Sequence, residues 1–118
     1  LILGAGTVIT AEQVVEAKEA GATFIISPGF SPVVSQACIE HGLIYFPGIA
    51  SPRDIQDALA DGWKILKFFP AEALGGVKTL KAFSAPKRNC SSEKELSAFF
   101  MISIPFPSRI FLLIGITF

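Results

Sequence analysis

The chain has 118 residues, 51% of them apolar, which suits one compact domain and leaves no room for two. Ten Lys and Arg balance ten Asp and Glu, so no net field gathers nucleic acid and no basic run supplies a local one. Cys38 and Cys90 form no CxxC pair, which excludes a disulfide scaffold and a four-cysteine zinc site and makes a reducing cytoplasm the expected location.

Residue 1 is Leu, and the apolar start LILGAG has no basic stretch before it. It reads as a strand and not as a signal peptide, and the expectation is that the true N-terminus precedes it. From there three segments repeat one order of elements: LILGAGTVITAEQ, FIISPGFSPVV and IYFPGIASPRD. Each runs an apolar stretch into a glycine turn at Gly6, Gly29 or Gly48 and then into a hydroxyl residue, Thr10, Ser31 or Ser51, that reads as a helix N-cap. Pro32 and Pro52 fall at the first helical position, and Gln13 and Asp54 stand three residues after their caps, as in a capping box. Gly21, Gly42 and Gly62 close the helices. The pattern predicts strands near 1–4, 24–27, 43–46 and 64–69 and helices near 11–20, 32–41, 52–61 and 75–83. The acid-rich helix AEQVVEAKEA buries Val14, Val15 and Ala17, and Cys38 faces the core from the next helix.

Strict alternation of strand and helix implies parallel strands, and runs such as FII and ILKFF suggest cover on both faces. The class is α/β. Short connections and a unit of about 20 residues suit a (β/α)8 TIM barrel better than a doubly wound sheet. GAG at 4–6 lacks the third glycine of a dinucleotide fingerprint and reads as a plain turn. A complete barrel takes about 200–250 residues and eight units, so this chain is a partial barrel of about four βα units.

The chemistry concentrates in WKILKFFPAEALGG, residues 63–76. An ammonium set among Ile65, Leu66, Phe68 and Phe69 loses hydration, and desolvation favours the neutral amine, which can attack a ketone. Barrel sites lie at the C-terminal ends of strands, which favours Lys67 over Lys64. On the physics alone a second reading stands beside this one, a strand-end lysine that snorkels to water.

KFFPAE at 67–72 with GG at 75–76, preceded in order by GAGTV at 4–8, SPG at 27–29 and PGI at 47–49, resembles the 2-keto-3-deoxy-6-phosphogluconate (KDPG) and 4-hydroxy-2-oxoglutarate (KHG) aldolase family over roughly residues 1–86. The resemblance implies a class I Schiff-base aldolase on a (β/α)8 barrel, a homotrimer acting on a small 2-keto acid, with no metal and no cofactor. It places the imine-forming lysine on Lys67, a pocket threonine on Thr7, and pocket walls on Pro28 and Phe69. Glu72 belongs to the motif, but as an acid entering a helix it reads as a partner of the helix dipole. The implied reaction releases pyruvate with glyceraldehyde 3-phosphate, or with glyoxylate if the substrate is 4-hydroxy-2-oxoglutarate. The family's glutamate base and carboxylate-binding arginine are expected before Leu1, and its phosphate loops have no counterpart after Ser84.

Past residue 86 the character changes. Residues 1–83 carry eight acidic and six basic side chains, whereas the last 35 have a net charge of plus two, five of the eleven Phe and one of the ten Gly. The resemblance fails at KRNCSSEKELS. Residues 98–118 are long enough to span a bilayer, but Pro105, Pro107 and the central Arg109 oppose it, the arginine by about 2.5–3.5 kcal/mol. Two regions are therefore expected: barrel units over 1–86, and an unrelated apolar tail over 87–118, out of frame or past a gene boundary, that does not fold into the barrel. His41 before Gly42 suits a helix C-terminus, and one histidine leaves a metal site unsupported. Cys90 reads as an exposed thiol, and Lys78 and Lys81 as a solvated face. An inactive barrel fragment with at most an assembly role is the alternative to a working aldolase.

Overall fold

The computed structural model describes residues 2–71, 73–84, 97–104 and 110–117. The elements run β1 (Gly4–Gly6), α1 (Ala11–Glu19), β2 (Phe24–Ile26), α2 (Pro32–His41), β3 (Ile44–Phe46), β4 (Gly48–Ile49), α3 (Pro52–Ala60), β5 (Ile65–Phe68), α4 (Gly76–Ser84), β6 (Ser97–Ile104) and β7 (Ile110–Thr117).

Local chemistry sets the helix starts. Thr10 and Ser51 each accept from the backbone N–H three residues on, while Gln13 and Asp54 reach back to the cap N–H, so both capping boxes are closed. Ser31 caps α2 by accepting from the Val34 N–H alone, with Pro32 following. α2 ends on Gly42, whose φ of 68° is a conformation only glycine takes without strain. Lys18 Nζ donates to the His41 carbonyl at 2.5 Å and ties α1 to that end of α2.

β1, β2 and β3 form a parallel sheet in the register Gly4–Phe24–Ile44 to Gly6–Ile26–Phe46. β3 and β4 are one extended run broken at Pro47, which has no N–H to give a ladder. Before the break the run pairs with β2, and after it with β5, Gly48 opposite Lys67. The Lys67 N–H donates to the Pro47 carbonyl at 2.8 Å and joins the two sheets.

Each strand sends alternate side chains to the helices. Ile25 and Tyr45 meet Val14, Val34 and Cys38 in one core, while Leu66 and Phe68 meet Ile55, Ala58 and Leu80 in the other. Burying each of the larger side chains contributes about 1.5–3 kcal/mol. Phe30 and Trp63 pack against both cores. The opposite face holds Phe24 and Phe46, ring centroids 5.6 Å apart, and Lys67. Strand burial is thus complete on the helix side and partial on the other, where the apolar runs suggested full cover of both faces.

Two placements differ from the sequence pattern. The first strand covers 4–6 and not 1–4, and Gly48 lies in a strand and not in a turn. In both cases the ladder with a neighbouring strand outweighs the turn preference of glycine, and at Gly4 the Phe24 ring occupies the space a Cβ would fill. In the tail, β6 pairs parallel with β5, Ile65 opposite Phe99, and β7 returns antiparallel to β6. A strand edge offers a row of N–H and C=O groups to any apolar extended run, and the tail contains two. Among the described residues no helix is long and apolar enough to cross a membrane.

Candidate active site

Lys67 is the third residue of β5, half-buried between Leu66 and Phe68, which are 0% and 1% exposed. Because those two turn toward α3 and α4, the lysine projects from the face without helices. Its Nζ lies 4.6 Å from the centroid of the Phe69 ring, a cation–π contact that holds the amine at the strand end. Phe69 itself is 44% exposed, and its N–H continues the ladder to the Ile49 carbonyl at 3.3 Å.

Pro28 reaches the same place through a close backbone approach. The SPG turn after β2 lies directly on Gly48, where a Cβ would overlap the Pro28 carbonyl and stand 2.7 Å from the Gly29 nitrogen. Gly48 is the ladder partner of Lys67, so the turn, the glycine and the lysine are consecutive neighbours across the strand ends. Thr7 follows β1 at the same level, with the Val8 N–H bonded to the Ile26 carbonyl at 3.2 Å. Its φ of 61° is a left-handed conformation that a β-branched residue rarely adopts, at a cost of about 1–3 kcal/mol. The structure thus brings Lys67, Phe69 and Pro28 together around Gly48 and sets Thr7 at the far side of the same row of strand ends. Glu72 and Cys90 lie outside the described residues.

Behind the SPG turn is a buried polar cluster that the sequence pattern did not single out. Ser27 and Tyr45, each 1% exposed, bond hydroxyl to hydroxyl. Ser27 Oγ also donates to the Gly29 carbonyl at 2.7 Å, Tyr45 Oη reaches the same carbonyl at 3.3 Å, and the Ser31 N–H donates to Tyr45 Oη at 3.4 Å. Burial pushes the Tyr45 phenol up, against the hydrogen bonds from Ser27 and Ser31 that act the other way, so it remains a neutral hydroxyl. The signal available in sequence was that the chain's one tyrosine falls on the helix-facing register of a strand. Burial likewise pushes the Cys38 thiol up to about 11, which keeps it protonated and inert near neutral pH. Among the described residues no cluster of three His, Cys, Asp or Glu side chains could hold a metal ion.

The family model for KDPG and KHG aldolase matches residues 1–91. The 2-dehydro-3-deoxy-phosphogluconate aldolase of Treponema pallidum is 50% identical over 86 residues, 73% of this chain and 41% of the relative. The KHG/KDPG aldolase of Escherichia coli K12 is 45% identical over 85 residues, 72% of this chain and 40% of the relative. Among solved structures, the KDPG aldolase of Legionella pneumophila with pyruvate captured at low pH as a covalent carbinolamine intermediate superposes with a TM-score of 0.67 at 41% identity, covering 73% of this chain and 42% of that one. The chain therefore spans about two fifths of the length of the relatives it matches.

Proposed function

The chain belongs to the KDPG and KHG aldolase family, and from that premise we propose that Lys67 is the Schiff-base lysine of a 2-keto acid aldolase, with Thr7, Pro28 and Phe69 as its substrate-binding neighbours. The observation that carries this reading is the placement of Lys67, an amine on the helix-free face at the end of β5, held over the Phe69 ring and beside the Pro28–Gly48 contact.

In this mechanism the neutral amine adds to the C2 ketone, and the carbinolamine loses water to leave an iminium ion. A base takes the C4 hydroxyl proton, the C3–C4 bond breaks, and its electron pair moves into the iminium to give an enamine. The aldehyde leaves as glyceraldehyde 3-phosphate, or as glyoxylate from 4-hydroxy-2-oxoglutarate. Protonation at C3 and hydrolysis then release pyruvate and restore the amine. Phe69 and Pro28 line the approach to the imine, and Thr7 offers a hydroxyl to the keto acid.

On the same reading residues 1–86 are consecutive units of a (β/α)8 barrel, residues 87–118 are foreign to it, and the complete protein is a cytoplasmic homotrimer. The short connections and the parallel register of β1 to β5 support the barrel. The 118 residues carry the imine step. Aldol cleavage also needs a base and phosphate donors, for which the resemblance finds no residues here, so we expect turnover near background. Imine formation is tested by incubating the chain with pyruvate and borohydride and mapping the reduced adduct. Label on Lys67 supports the reading, and label on Lys64 with none on Lys67 defeats it.

A further inference from the structure

A hydroxyl removed from water without a partner costs about 1–3 kcal/mol, so two fully buried hydroxyls meeting at one turn have a structural consequence wherever their bonds go. Those of Ser27 and Tyr45 go to one another and to the backbone of residues 29–31. Tyr45 is itself fixed: the Trp63 ring meets it edge-on at 5.6 Å, and the Trp63 indole N–H donates to Ser35 Oγ at 2.7 Å. The turn so tied is the one that presses on Gly48, the partner of Lys67.

We infer that Tyr45 is a positioning residue: its hydroxyl, together with that of Ser27, fixes the Pro28 turn against β4 and so sets the wall that a keto acid meets when it approaches Lys67. The inference rests on the assignment of Lys67 as the imine-forming lysine. It adds two residues that touch neither substrate nor amine and act through the backbone of the turn. Displacements of about 1 Å around a reacting centre can change its rate by about 10²-fold, and the loss of one hydroxyl permits a shift of that kind while Trp63 keeps the ring in place.

The test is the dependence of borohydride-trapped Lys67 adduct on pyruvate concentration, measured on the full chain and on Tyr45→Phe and Ser27→Ala. Each variant should need about tenfold more pyruvate for half-maximal labelling and reach the same plateau. The double variant should be no worse than the weaker single, because both hydroxyls act on one turn. Labelling of the unaltered chain with unchanged half-saturation in both variants overturns the positioning role and leaves Lys67 standing. A lower plateau at unchanged half-saturation also overturns it, since the hydroxyls would then govern only the amount of folded protein. An unlabelled parent chain defeats the Lys67 assignment and this inference with it. Ser27→Ala decides the matter where Tyr45→Phe does not fold.

Discussion

The two sheets are assembled from the same strand, cap and helix, yet their C-terminal ends are finished differently. At the end of β2 the chain turns over buried hydroxyls, and those of Ser27 and Tyr45 are bonded to each other and to the turn backbone. At the end of β5 the chain presents an amine whose described contact is an aromatic ring. A bonded turn resists displacement, whereas an amine lying over a ring can leave it for a carbonyl carbon at small cost. On the function proposed above, the first sheet supplies the wall and the second the reactive group, and Gly48 is where the two meet.

The largest effect expected from breaking this contrast is at the amine. Lys67→Ala should abolish borohydride-trapped pyruvate adduct, while Lys64→Ala, at the exposed start of the segment, should keep most of it. Mass spectrometry of the intact chain reads both. A Lys67→Ala chain that still labels fully would move the chemistry elsewhere.

The next effect is at the contact between the sheets. Gly48→Ala drives a methyl into the Pro28 carbonyl and should cost about 1–3 kcal/mol, as overpacking does. Gly6→Ala, at a strand end with open space around it, should be neutral or stabilise by about 0.4–1 kcal/mol. Urea midpoints of the two variants against the parent chain make the comparison, and equal shifts would erase it.

A third test addresses the core behind the wall. The Cys38 thiol is raised by burial from 9.0 to about 11, so the folded state holds its proton more tightly than the unfolded chain does. The stability this contributes is fully present below pH 9 and is lost as the pH rises through 11. Tyr45, also raised, acts in the same direction at higher pH. Melting temperatures from pH 8 to 11 should fall, and Cys38→Ala should fall less steeply. A parallel decline in both would remove the thiol from the account.

The smallest effect should be shared by both sheets. Thr10→Ala and Ser51→Ala each open one capping box and should each cost about 1 kcal/mol. Their additivity in the double variant, within about 0.5 kcal/mol, would show the two helices to be independent. A double variant much less stable than the sum would mean that the sheets move together.

The amino-acid sequence by itself determined the helices and the candidate lysine. A cap and its partner are three or four residues apart, a glycine stop acts on its own turn, and a lysine among four apolar residues is visible wherever the strand lies, so Thr10, Ser31, Ser51, Gly42 and Lys67 could be read locally. The tertiary structure alone decided the placement of Gly48 in a strand, the approach of Pro28 to it, the bond between Ser27 and Tyr45, and the pairing of β6 with β5. Each of these joins residues 18 or more positions apart, and each is settled by which backbone edge and which turn come within reach once the helices have packed. No local preference of glycine, serine or tyrosine encodes that distance.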